Sequence, residues 1–290
     1  MKAFAPAVWT MAGLLGGAAG AAEPVTIVAF GDSTTAPRVV GGKPLTVYAD
    51  LLRKRLPGKG VDAVVVNAGV GGNTTLHARA RFARDVLAHR PDIVILQFGI
   101  NDSAVDVWRK PPETRPRVAI ARYEKNLRYF IRRLRETGGR AILMTPNPLR
   151  WTTKLKAMYG KPPYRPDDPD GFNVLLRRYA EKARQIARQE KVPFIDIYAG
   201  FEAYGKTEGH SVDEILLDGM HPNAKGHRMI ADLLIAQIAH VTSQDRRGGR
   251  ISDPSSTRRR TATSRPRPVA TSGPSRVTTA RSVQPPSKRR

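Results

Sequence analysis

Apolar positions between residues 25 and 240 follow two alternating patterns. Short, nearly unbroken apolar runs occur at residues 25–30, 61–66, 92–98, 140–144 and 192–198. Runs this short and this apolar suit strands covered on both faces, as in a parallel sheet between helix layers. Between them lie longer segments with helical spacing. Val47, Leu51 and Leu52 predict a helix over residues 46–56, which Pro57-Gly58 ends. Residues 76–89 place Phe82, Val86 and Leu87 on one side, with Arg79, Arg81 and Arg84 elsewhere. The clearest helix spans 117–137, where Ile120, Tyr123, Leu127, Phe130, Ile131 and Leu134 form a stripe and Gly138-Gly139 supplies the stop. Further helices are predicted over about 173–190 and from Asn223, a good N-cap, to about 239. Strict strand–helix alternation predicts parallel crossovers and a three-layer α/β/α sandwich around a five-stranded parallel sheet.

In such a sheet every carboxyl end lies on one edge, and ligands bind there. The polar residues that close the apolar runs therefore converge. The first run ends in Gly31-Asp32-Ser33, the second in Gly71-Gly72-Asn73 and the third in Gly99-Ile100-Asn101-Asp102, and the chain later offers Asp218-Gly219-Met220-His221-Pro222-Asn223. Each of these is also ordinary turn or cap chemistry when taken singly. Together they supply what nucleophilic catalysis needs. A serine hydroxyl requires a base, and the base requires a group to hold its tautomer. Ser33, His221 and Asp218 fit those roles, because a three-residue separation within a turn lets the carboxylate reach Nδ1 and leaves Nε2 for Ser33. The backbone amides of Ser33 and Gly72 and the side-chain amide of Asn101 are the donors for a developing oxyanion. Two other acids compete with Asp218: Asp32, beside the serine, and Asp196, at the end of the fifth run. Asp196 would suit the α/β-hydrolase arrangement, but that fold expects G-x-S-x-G, and Gly31-Asp32-Ser33-Thr34-Thr35 lacks the second glycine.

Composition narrows the chemistry. The 290 residues include no cysteine, which excludes disulfides, thiolate nucleophiles and Cys-ligated zinc. No H-E-x-x-H occurs and the six histidines are scattered, so neither a metal nor another cofactor is expected. Lys and Arg total 49 against 25 acids, a net charge of +24. Residues 246–290 hold thirteen basic residues and one acid, which is half of that excess. Rich in Ser, Thr, Pro and Arg and poor in apolar residues, residues 244–290 read as a disordered basic tail, either dispensable or in contact with a polyanion. At the other end, Lys2, an apolar stretch and a small-residue finish over 1–22 read as an export signal, interrupted by Pro6 and glycines in a way that disfavours a membrane span. The predicted organisation is a signal at 1–22, one domain at 23–243 and the tail, with the mature chain periplasmic or extracellular and without a transmembrane span.

In order along the chain, FGDSTT, NAGVGGNTT, FGIND and DGMHPN resemble the four blocks of the SGNH hydrolases, the GDSL-type esterases. The resemblance runs from about Val25 to Ile238. It implies the flavodoxin-like fold of that family and an ester hydrolase working through an acyl-enzyme. It also implies Ser33 as nucleophile, Gly72 and Asn101 as oxyanion donors, and Asp218 and His221 as the rest of the triad. Thr34 stands where the family name has leucine, and Gly-Asn-Thr where Gly-Asp-Thr is frequent.

The sequence leaves the ester more open. GDSTT is similar to the carbohydrate-deacetylating members, so an O-acetylated carbohydrate is the favoured substrate. A lipid esterase, lysophospholipase or thioesterase is the alternative, and a polyanion-binding protein with a vestigial hydrolase core is the reading of another class. Residues 147–172 form a connection too long and proline-rich to be ordinary. Trp108, Trp151, Tyr159 and Tyr164, in the stretches after the third and fourth runs, are expected either to border the substrate or to anchor those loops by packing.

Overall fold

A computed structural model describes residues 23–247. The expected export signal and residues 248–290 of the expected tail lie outside them. The five apolar runs become the strands β1 (Val25–Gly31), β4 (Ala63–Asn67), β5 (Ile93–Gln97), β6 (Arg140–Met144) and β7 (Phe194–Ile195) of one parallel sheet, in the order β4-β1-β5-β6-β7. The first strand is thus central: the chain leaves β1 for β4 on one side and returns to β5 on the other, which puts a topological switch point at the end of β1.

Period-two alternation divides β1 between two cores. Ile27 and Ala29 pack with Tyr48 and Leu52 of α1 (Tyr48–Arg55) and with Ile230 and Leu234 of α8 (Ala224–Arg247). Val28 and Phe30 face Phe82 of α2 (Thr75–Asp85), Leu127 and Phe130 of α4 (Ile120–Glu136) and Ile186 of α6 (Leu176–Glu190). This is the three-layer arrangement that the alternation predicts.

Short elements depart from the sequence reading. An antiparallel hairpin, β2 (Arg38–Val40) with β3 (Lys43–Leu45), follows the Ser33 turn, and α3 (Ile100–Ser103) follows β5 directly. The long connection 147–172 contains α5 (Thr153–Tyr159), capped by the Thr152 hydroxyl. β7 keeps two residues of the predicted run, because the Asp196 carboxylate accepts the Ala199 N–H and starts α7 (Ile197–Gly205). The last helix runs through Arg247, past residue 239 where its end was predicted and into the first residues of the tail expected from 244; buried Val241 and Thr242 continue its packed face. No described helix is long and apolar enough to cross a membrane.

Candidate active site

The first polar block leaves β1 in a single helical turn, with the N–H groups of Thr35 and Ala36 both donating to the Asp32 carbonyl at 3.2 and 3.0 Å. Ser33 sits half-buried on that turn, while Asp32 points inward and is fully enclosed. The Asp32 carboxylate accepts the Thr34 N–H and hydroxyl, each at 2.9 Å. Burial raises its pKa above the ordinary value despite those two donors.

The last block is a closed loop fastened at several points. Leu216 and Pro222 form a bridge and the Leu217 N–H donates to the His221 carbonyl at 2.8 Å. Gly219 is left-handed (φ +79°), and a Cβ there would lie 2.4 Å from the Arg150 carbonyl, so only glycine fits. Arg150 N–H bonds the Gly219 carbonyl at 2.8 Å and the Asn147 amide donates to the Met220 carbonyl at 2.9 Å, tying this loop to the chain after β6. Behind it Asn223 caps α8, its side-chain oxygen accepting from Lys225 and Gly226 N–H at 2.9 and 3.1 Å.

These constraints aim the side chains. Asp218 Oδ1 accepts the Met220 and His221 N–H groups at 3.1 and 3.0 Å, and Oδ2 lies 2.9 Å from His221 Nδ1. His221 Nε2 is 2.9 Å from Ser33 Oγ, across 188 positions of sequence. Burial alone would push the Asp218 carboxyl up; the His221 ring and the two backbone donors outweigh it and hold the group well below the usual carboxylate range. The rival acids are engaged elsewhere, Asp32 with Thr34 and Asp196 with Arg184 at 2.6 Å. Among the described residues no group of three or more His, Asp or Glu is placed to hold a metal ion.

The second and third blocks meet beside this chain. Gly72 is left-handed (φ +73°), and the Val70 N–H donates to the Gly31 carbonyl at 3.1 Å. Asn101 Nδ2 donates to the Asn73 carbonyl at 3.2 Å. Arg81, which helical periodicity assigns away from the apolar face, is only 8% exposed and binds the Gly31 and Ala68 carbonyls and Asn73 Oδ1 at 3.0, 2.8 and 2.7 Å. One guanidinium thus ties the first block to the second. The sequence held no signal for the tie between the blocks: the Asp85 carboxylate one turn on, 3.1 Å from Nη1, is a partner that helical spacing offers, but the Gly31 and Ala68 carbonyls are backbone groups.

Asp102 joins the second block to the third from below. Its Oδ1 accepts the Thr75 N–H at 2.9 Å and the Thr75 hydroxyl at 2.5 Å, and its Oδ2 is buried without a hydrogen-bond partner. Burial pushes this carboxyl up to about 7 against the Thr75 donors, with the Asp32 charge adding to the shift. The fold therefore keeps a proton that the unfolded chain releases between about pH 4 and 7, and stability falls as pH rises through that window and levels above it. Asp102→Asn keeps an oxygen for Thr75 and cannot ionise. Thermal unfolding from pH 4.5 to 8 is expected to show the variant gaining on wild type by on the order of 2–4 kcal/mol; a constant difference across the range would refute this.

The four aromatic residues separate. Trp108 is 42% exposed. Trp151 is half-buried, stacked on Phe172 with centroids 4.4 Å apart, and donates its indole N–H to the Asp168 carbonyl at 3.0 Å. Tyr159 and Tyr164 belong to a third apolar cluster, and the Tyr164 hydroxyl accepts the Val105 N–H at 2.8 Å. Packing therefore occupies three of the four rings. Tyr159 and Tyr164 also line a cavity of about 70 Å³ whose wall includes Asn101, Leu149, Leu176 and Met220.

The family model described as GDSL-like lipase/acylhydrolase matches residues 29–229. The chain is 29% identical over 177 residues to an acetylxylan esterase of Geobacillus stearothermophilus, covering 60% of this chain and 71% of that one. It is 32% identical to an uncharacterized lipoprotein of Bacillus subtilis over 57% and 70% of the respective chains. The crystal structure of a G. stearothermophilus acetylxylan esterase superposes with a TM-score of 0.59 at 25% identity, covering 75% of this chain and 95% of the other. A lipase/acylhydrolase from Enterococcus faecalis superposes with a TM-score of 0.57, also at 25% identity, over 75% and 96%. With its four blocks gathered on one edge of a five-stranded parallel sheet, the chain belongs to the GDSL-like lipase/acylhydrolase family, the SGNH hydrolases, and is a carboxylic ester hydrolase.

Proposed function

We propose that Ser33 is the nucleophile of an acyl-enzyme mechanism in which His221 takes the serine proton and Asp218 holds the imidazole. The observation that carries this reading is the unbroken hydrogen-bonded chain from Asp218 Oδ2 through His221 to Ser33 Oγ, 2.9 Å at each link. Attack by the hydroxyl oxygen on the ester carbonyl forms the C–O bond as the serine proton passes to Nε2. The imidazolium then returns that proton to the departing alcohol, and water repeats the sequence to free the acid. The negative oxygen of each tetrahedral intermediate is received by the Ser33 and Gly72 N–H groups and the Asn101 amide.

The favoured substrate is an O-acetylated carbohydrate. The small size of the cavity beside Asn101 and Met220, about 70 Å³, supports a short acyl group. Likeness to the acetylxylan esterase of G. stearothermophilus supports the sugar side, and exposed Trp108, with the Arg109 guanidinium 5.6 Å from its ring centroid, offers a face for it. Export belongs to the same proposal, supported by the composition of residues 1–22. Comparing p-nitrophenyl acetate with the octanoate, then acetylated xylan and pectin, tests the reading. The acetate is expected to lead by about tenfold or more in kcat/KM; a preference for octanoate would transfer the enzyme to the lipid esterases or thioesterases.

A further inference from the structure

Asn101 can serve an oxyanion only if its amide is turned with nitrogen toward the reacting oxygen, and two contacts fix that choice. On one side Nδ2 donates to the Asn73 carbonyl at 3.2 Å; on the other Oδ1 accepts Nη1 of Arg117 at 3.1 Å. A flipped amide would set oxygen against the Asn73 oxygen and NH2 against a guanidinium N–H, so both contacts demand the same orientation. Arg117 is itself held. Its Nε and Nη2 reach Asp106 Oδ1 at 3.0 and 2.6 Å, and that carboxylate is only 4% exposed. The fork geometry matters: one edge of the guanidinium grips the carboxylate while Nη1 remains for the amide.

We infer that Arg117, anchored by Asp106, is a positioning residue that holds the Asn101 amide in its donating orientation and polarises it by bonding the amide oxygen. A cation at Oδ1 draws electron density from the nitrogen, which makes its N–H groups stronger donors, to the negative oxygen that develops beside Ser33 as well as to their resting partners. The effect is largest where that charge is largest, in the transition state, so it falls on kcat and not on KM. This inference rests on the proposed role of Asn101 as an oxyanion donor.

A double-mutant cycle separates the two claims. Arg117→Met is combined with Asp106→Asn so that no unpaired carboxylate is buried, and folding is checked by circular dichroism. On p-nitrophenyl acetate this pair is expected to lose about 10- to 100-fold in kcat with KM within about threefold of wild type. Placed in an Asn101→Ala background, the same pair should cost less than about threefold, because its target is gone. Arg117→Lys preserves the charge against Asp106 but cannot serve both partners from one point charge. It serves if the pair fails to fold: a loss of about three- to tenfold is expected in the wild-type background and none with Asn101→Ala. Equal losses in both backgrounds, or a loss confined to KM, would overturn the inference while leaving Asn101's role standing. Asn101→Ala within about threefold of wild type would remove the role of Asn101 and the inference with it.

Discussion

Replacing Ser33 by alanine is expected to lower kcat for p-nitrophenyl acetate on the order of 10⁵- to 10⁶-fold. The substitution removes one oxygen, whose hydrogen-bond partner is His221 Nε2 at 2.9 Å. The fold has little stake in that oxygen: the turn is closed by backbone bonds to the Asp32 carbonyl, and its buried polar contacts belong to Asp32, Thr34 and Thr35. The unfolding midpoint should therefore move by no more than about 2 °C. The backbone N–H of residue 33 stays in place, so substrate binding should persist with KM changed little. Two readouts check this: the ratio of turnover to binding, and labelling by a fluorophosphonate, which needs the hydroxyl and should vanish. Turnover above about a tenth of wild type, or persistent labelling, would place the nucleophile elsewhere and leave the 2.9 Å contact a structural one.

The sequence carried the sheet because its inner strands are buried on both faces: the run Ile93–Gln97 is wholly enclosed, and four of its five residues are apolar. The sheet edge was legible for a related reason, since parallel strands force their carboxyl ends together however distant they are in the chain, and Ser33 and His221 meet as that geometry requires. What escaped was held by contacts without periodicity. The hairpin Arg38–Val40 with Lys43–Leu45 is three residues a strand and mostly exposed, too short to leave a pattern. Arg81 follows the helical spacing of its exposed neighbours Arg79 and Arg84, yet it turns inward to carbonyls that any residue could have supplied. Arg117 meets Asn101 through a connection whose course only the tertiary structure sets. The aromatic residues of 147–172 read equally as a ligand platform or as packing anchors; Phe172 is the partner that decides, stacking on Trp151 and packing against Tyr159 and Tyr164.

Asp218→Asn should cost about 10⁴-fold in kcat, although the change is nearly isosteric. The reason lies in the loop. Oδ1 of residue 218 accepts the backbone N–H groups of Met220 and His221, and these two donors will claim the single oxygen of an asparagine. Its NH2 then falls where Oδ2 stands now, 2.9 Å from His221 Nδ1. A donor at that point opposes an Nδ1–H even though Oδ1 also lies 3.0 Å from Nδ1; accepting it places the ring proton on Nε2, and a protonated Nε2 cannot take the proton of Ser33. Loss of the carboxylate also removes the charge that stabilises the imidazolium. In the wild type that carboxyl is held well below the usual range, so it stays ionised in mild acid. Asp218→Ala supplies no donor to Nδ1 and allows the productive tautomer, so it is expected to be no slower than the asparagine variant. Rates within tenfold of wild type for Asp218→Asn, measured on p-nitrophenyl acetate with the fold intact, would mean that the imidazole is oriented by something other than this carboxylate.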